Sequence, residues 1–198
     1  MPQRNAALLI VLLTLPLLLG CPKPSTPPPT TVPTPAPRPT TPAPDWTLTS
    51  PVFNDGDKLP AAHTADGQNV SPPLAWTTPP KGTVELVLIV DDPDAPTGPF
   101  THWVLYGLPP TTAQLPQAVP TKKTLDNVGG AKQGKNDFGE VGYRGPSPPP
   151  GKVHHYQFTL YALDWKLDLG PGASRLEVER AMKSHILATA TLTGTYQR

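Results

Sequence analysis

The chain has 198 residues, 16 basic and 15 acidic side chains, 37% hydrophobic residues, a single cysteine and 31 prolines. A net charge of +1 supplies no basic stripe for a nucleic-acid backbone, and one cysteine can form neither an internal disulfide nor a cysteine-based zinc or iron-sulfur centre. Two prolines precede residue 22, eleven fall in 22–44 and eighteen in the remaining 154 residues, so a proline-rich piece has been joined to an ordinary domain.

Arg4 precedes a 15-residue apolar run, 6–20, broken by Pro16. A span needs about 20 apolar residues, so the run reads as a signal peptide, 1–20. It ends Leu18-Leu19-Gly20-Cys21, which resembles the lipobox of bacterial lipoproteins. That resemblance implies a diacylglyceryl thioether on Cys21 after cleavage. A soluble secreted protein with a free thiol is the alternative. Two thioether-linked chains plus an N-acyl chain exceed the two signals needed for stable anchoring. Pro22 follows the cysteine rather than Asp, and for this class that favours the outer membrane, facing the periplasm.

Residues 21–45 form the lipidated cysteine and its linker. From Pro22 to Pro44 nearly every residue is Pro, Thr, Ser or Ala, with Lys23 and Arg38 the only charges. Too few large apolar groups are present to offset the entropy of ordering, and the prolines favour extended polyproline II. At about 3.1 Å per residue the segment reaches roughly 70 Å. A docking strip for a proline-recognising partner and an O-glycosylated stalk are the other readings.

The remaining residues, 46–198, carry 13 basic and 14 acidic groups and are enough for one domain with its own core. Runs at 47–53, 84–91, 102–108, 156–163 and 190–196 are rich in Val, Ile, Leu, Thr and aromatics and bounded by Gly, Pro and Asp, which predicts five strands. Ser174-Arg175-Leu176-Glu177 has capping-box spacing, with Val178, Ala181, Met182 and His185 following near helical period, so one helix starts there. Between 111 and 151 the pattern is aperiodic, with long Pro/Gly-rich loops. The fold class is mainly β with one or two short helices, its functional groups on loops.

Common catalytic motifs are missing. Residues 129–136 nearly spell a phosphate-binding P-loop, but Asn136 stands where Ser or Thr must reach magnesium, and no helix follows. No Gly-x-Ser-x-Gly elbow and no His-Glu-x-x-His helix exist. What remains is a constellation: Leu86 to Val90 lead into Asp91-Asp92-Pro93-Asp94, His102 opens the next strand, and His154-His155-Tyr156 opens another. A carboxylate ending one buried strand and a histidine opening the next can meet at one sheet edge. In a strand His154 and Tyr156 share a face and His155 points the other way. Such groups suit a phosphate or carboxylate. From spacing alone, structural turn and strand-end roles are equally open.

These residues carry a resemblance. Asp66-Gly67-Gln68-Asn69-Val70-Ser71-Pro72-Pro73-Leu74 with Trp76, Asp92 to Pro96, His102-Trp103, Asn136-Asp137-Phe138-Gly139, the 142–151 loop, His154-His155-Tyr156, and His185-Ile186-Leu187 before Gly194-Thr195-Tyr196 together resemble the phosphatidylethanolamine-binding protein family, in its bacterial Raf kinase inhibitor-like branch. The resemblance covers 46–198. It implies a compact β fold with a pocket for phosphate, acetate or a phospholipid head group, lined by Asp92, His102, His154 and Tyr156. Asp94 and the Pro148-Pro149 turn would shape its rim. It implies binding without catalysis, by charge-assisted hydrogen bonds from His102, His154 and Tyr156 with Asp92 orienting a histidine. No cofactor, metal or nucleic acid is expected. Trp76 and Trp103 read as core or pocket wall. Arg144 reads as a solvated cation near the mouth, His63 as a surface residue and His185 as a packing residue. Two alternatives stand beside anion capture. One is an inhibitor of a protease or kinase that docks a partner's anionic group. The other is an enzyme in which two Asp and two His hold a divalent metal. Only Gln197 and Arg198 follow Tyr196, so the C-terminal helix of the mammalian relatives is missing from the pattern.

Overall fold

The computed structural model describes residues 46–198. The signal peptide, Cys21 and the linker therefore lie outside the described residues.

Among the described residues the elements run β1 (Leu48–Thr49), β2 (Leu74–Trp76), β3 (Glu85–Asp92), β4 (Phe100–Leu108), β5 (Gln114–Leu115), β6 (Thr124–Leu125), β7 (Ala131–Gln133), β8 (His154–Leu163), α1 (Arg175–Met182) and β9 (Ile186–Tyr196), with 3-10 turns at Ala61–His63 and Asp126–Val128. They form a six-stranded sheet ordered β6-β7-β4-β3-β8-β9 and a three-stranded sheet ordered β1-β2-β5, all pairs antiparallel.

β3 lies inside the large sheet with both faces covered, which is why its sequence is an unbroken apolar run rather than an alternating one. Leu86, Leu88 and Val90 face one core, shared with Trp76, Trp103, Phe158 and Leu192. Val87 and Ile89 face a second core, where Val104, Tyr106, Val178 and Met182 pack. Full burial of each such side chain stabilises the fold by about 1.5–3 kcal/mol. α1 covers that second face. Its start is fixed by the predicted capping box: the Ser174 hydroxyl accepts from the Glu177 N–H, and the Glu177 carboxylate accepts from the Ser174 N–H at 2.8 Å.

Four predicted strands sit in the large sheet with shifted ends, and the predicted 47–53 strand shrinks to Leu48–Thr49. The aperiodic stretch after 111 also holds β5, β6 and β7, each two or three residues long. β7 and the turn after it replace the P-loop look-alike. There the Asn136 carboxamide accepts from the N–H groups of Phe138 and Glu140 and donates to the Gly142 carbonyl, closing a tight turn. The two histidine roles are reversed. His63 is 2% exposed, with Nδ1 donating to the Val70 carbonyl, whereas His185 is partly exposed, paired with Asp164 and stacked on the exposed Trp165.

Candidate functional site

Because β4, β3 and β8 are antiparallel neighbours, the C-terminal end of β3 meets the N-terminal ends of the other two. Asp92, Phe100 and the His154–Tyr156 stretch thus gather at one sheet edge. Along β8 alternation holds: His154, Tyr156 and Phe158 are buried and His155 is exposed. β4 departs from it. Val90 pairs with Trp103 but the next residue, Asp91, pairs with Thr101, so His102 is the extra residue of a β-bulge. Regular alternation would send His102 to the face opposite Trp103; the bulge re-aims it to the side of Asp92 and Tyr156.

The result is a cavity of about 230 Å³. It is smaller than the pockets that hold drug-sized molecules, about 300–1,000 Å³, and is sized for a small ion or head group. Asp92, His102, His154 and Tyr156 line its polar side together with Thr97 and Ser147. Ala95, Pro96, Phe100, Phe138, Pro148 and Pro149 line the rest. A more voluminous hollow, about 610 Å³, lies between 76–79 and 110–113, but its lining holds no titratable side chain.

The two histidines are held differently. His154 Nδ1 donates to Asp92 Oδ2 at 2.7 Å, with both side chains almost wholly buried, and Asp92 Oδ1 accepts the Asp94 backbone N–H at 2.9 Å. His102 Nδ1 lies 2.7 Å from the Arg144 carbonyl, which can only accept, so Nδ1 carries the hydrogen there. In both rings Nε2 is left for the cavity. The edges of Phe100, Phe138 and Tyr156 surround His102 at centroid distances of 5.1 to 5.6 Å. Burial pulls its pKa below the ordinary value, against the Arg144 carbonyl and the charges of Asp92 and Asp137, which pull the other way. The Tyr156 hydroxyl is closed to solvent and, with no partner within 3.5 Å among the described residues, has the Asp92 carboxylate as its polar neighbour. Burial first, then the neighbouring Asp92 carboxylate, push that phenol far above its usual range.

Of the six ligand-binding candidates, five line the cavity: Asp92, His102, Pro149, His154 and Tyr156. Asp94 does not. Its Oδ2 accepts both the backbone N–H and the Nδ1–H of His155, at 2.8 and 2.7 Å, on the exposed outer side. Those bonds, the side-chain one first, hold the Asp94 carboxyl below the usual carboxylate range. Asp92 with His154 inside and Asp94 with His155 outside thereby clamp the turn after β3 to the start of β8. Arg144 is not a free cation either: it pairs with Glu140 at 2.7 Å and lies over the Phe138 ring. Sequence reasoning assigned no role to Phe100 and Phe138. The available signal was Asn136, whose turn presents Phe138, and Asp137, whose carboxylate accepts the Thr101 N–H at 2.7 Å and fixes that turn beside β4. Among the described residues no group of three or more His, Cys, Asp or Glu is arranged to hold a metal ion.

The model for phosphatidylethanolamine-binding proteins matches residues 49–197. A Methanothermobacter thermautotrophicus protein named UPF0098 protein is 50% identical over 146 residues, covering 74% of this chain and 95% of its own. A Mycobacterium tuberculosis H37Rv protein provisionally named lipoprotein LppC is 39% identical over 162 residues, 80% of this chain and 77% of its own. The crystal structure of Escherichia coli YbcL, described as a new member of the mammalian PEBP family, superposes with a TM-score of 0.73 at 34% identity, covering 77% of this chain and 98% of that one.

Proposed function

The chain belongs to the phosphatidylethanolamine-binding protein family, and on that premise we propose that its domain captures a small oxyanion, a phosphate, carboxylate or phospholipid head group, in the cavity at the strand ends, without chemical turnover. One observation carries this reading. The buried Asp92–His154 pair and the buried Tyr156 hydroxyl beside Asp92 line one small cavity of about 230 Å³. The Asp92 carboxylate buried against Nδ1 orients the His154 ring, whose Nε2–H in the protonated form donates to an anion. A buried hydroxyl held only by a long contact is poorly satisfied, and an anion accepting its hydrogen improves on that contact. Calorimetric titration with phosphate tests the reading. Saturable binding is expected, lost in His154→Ala, and binding that persists unchanged in the variant would refute it.

The anchor is part of the same proposal: cleavage before Cys21 and lipidation of its thiol tether the domain to the bacterial cell envelope, at the outer membrane facing the periplasm. The lipobox-like ending of the apolar run supports this, as does the name of the mycobacterial relative. The Cys21→Ser protein should move from the membrane to the soluble fraction; retention in the membrane would sink the idea.

A further inference from the structure

This inference rests on the anchor reading above and concerns the end of the large sheet opposite the cavity. We infer that this end, built around Trp165, Val84 and Ile186 and rimmed by Lys81, Lys166 and Lys183, is a docking surface for a lipid bilayer that contains anionic lipid.

Because β3, β8 and β9 are antiparallel neighbours, the start of β3, the end of β8 and the start of β9 meet at the sheet end away from Asp92 and His154. The Val84 N–H donates to the Leu163 carbonyl, Leu163 pairs with Ile186, and the Asp164 N–H donates to the His185 carbonyl. Three apolar side chains brought to this end by that register stay in water: Trp165 is 57% exposed, Val84 48% and Ile186 40%. The Trp165 ring is held in place, stacked on His185 at 5.4 Å, and His185 is itself bonded to Asp164. An exposed tryptophan fixed at the tip of a domain suits the boundary between lipid head groups and acyl chains, where its apolar body and its N–H are both satisfied.

Charge says what covers these side chains. Lys166 follows Trp165, and Lys81 and Lys183 stand three residues before Val84 and Ile186, all three exposed. A Cβ on Gly82 would meet Leu187 Cδ1 at 4.0 Å, which puts the Lys81 turn beside the start of β9. The carboxylates of this end are engaged: Asp164 holds His185, and Glu85 is buried, accepting from the N–H groups of Gly107 and Leu167. Asp168 is exposed, but there the chain has turned toward β4 and β7, since Lys132 donates to the Leu169 carbonyl and Tyr106 to that of Gly170. At the cavity end Phe138, Val153 and Leu176 are exposed too, with Asp137, Lys152 and Glu177 as chain neighbours, so the sign there is mixed. The described chain also enters at the basic end. Residues 46–59 run alongside β9 in its own direction, with the Gly56 N–H on the Thr193 carbonyl and the Leu59 N–H on that of Thr195. Trp46 therefore lies toward the start of β9, where Leu187 and Ala188 pack on the same core. The tether thus leaves from the docking end, and the cavity, roughly 25 Å along β3, opens to the water.

Trp46, Trp76 and Trp103 are 7% exposed or less, so quenching of tryptophan fluorescence from the water reads Trp165. The test places the full lipidated protein on vesicles of phosphatidylcholine alone or of equimolar phosphatidylcholine and phosphatidylglycerol, with acyl chains brominated near the head group. Acrylamide then quenches from the water and bromine from the bilayer. On the mixed vesicles bromine should quench Trp165 and acrylamide should lose access to it, with both effects absent from Trp165→Phe. Lys81→Gln, Lys166→Gln and Lys183→Gln should each lower the docked-to-undocked ratio about fivefold. Salt at about 1 M, where screening acts within about 3 Å, should release the unsubstituted protein in the same way. If the protein floats with the mixed vesicles while acrylamide still reaches Trp165 and bromine leaves it bright, the inference is overturned and the anchor stands. If Trp165 is protected from acrylamide without bromine quenching, increasingly so at higher protein concentration, a second copy covers the patch and the inference is likewise overturned. If the protein does not float with the vesicles, anchor and docking both fall.

Discussion

Tyr156 sits opposite Gly194 of β9, and the missing side chain there leaves room for Leu59, whose Cδ2 would lie 2.5 Å from a Cβ at position 194. The ring is packed tightly, and its hydroxyl has no partner within 3.5 Å among the described residues, with the Asp92 carboxylate beside it. Tyr156→Phe removes that hydroxyl without changing volume. The variant should stay within about 1 kcal/mol of the parent by urea unfolding, yet bind phosphate several-fold more weakly; a larger loss of stability would show that the contact with Asp92 is a structural hydrogen bond. At this scale the sequence announces His154 and Tyr156, because strand alternation fixes their face. It does not announce the face of His102, because a bulge leaves no mark in hydrophobic pattern. His63 was misplaced for a related reason. Its surroundings come from residues far along the chain, such as Tyr143, whose hydroxyl donates to the His63 carbonyl at 2.5 Å.

Consecutive residues at the ends of β3 and β4 serve opposite faces: Asp92 and His102 face the cavity, while Asp91 and Thr101 face α1. Arg175, the first residue of α1, reaches Asp91 at 3.3 Å and Glu179 at 2.7 Å. Burial nevertheless wins at Asp91 and raises its pKa to about 6, with Arg175 opposing. The folded state thus holds the Asp91 proton more tightly than the unfolded chain, and this group's contribution to stability falls as pH rises from about 4 to about 6. Asp91→Asn should accordingly stabilise the protein at neutral pH by about 2–3 kcal/mol, with the gain gone near pH 4. Urea midpoints at the two pH values check this, and destabilisation at neutral pH would mean that the Arg175 ion pair outweighs the burial. The β3 run and the α1 capping box are visible in sequence because each rests on a repeated or fixed local spacing. The strands of the small sheet are two or three residues long. They exist through pairing with distant segments, so no periodicity exposes them.

Across the described residues, the site follows from topology: antiparallel order puts one strand's end beside two strands' beginnings, and three loops, 93–99, 136–144 and 146–151, close the cavity over them. The last of these is tied down by the final residues of the chain, since Arg198 accepts from Gly151 through its carbonyl and reaches Asp66 with its side chain at 3.1 Å. The family was legible from separated motifs in order, whereas the cavity's apolar wall was not, because Phe100 and Phe138 become neighbours only through the Asp137–Thr101 bond. The central claim is that this cavity binds a small oxyanion through His102, His154 and Tyr156. Proton-nitrogen NMR of the protein titrated with phosphate tests it most directly. The account predicts saturable shifts centred on Asp92, His102, His154 and Tyr156 and on the three loops above them. Absence of saturable shifts up to tens of millimolar, binding weaker than about 2 kcal/mol, or shifts centred elsewhere, would contradict it.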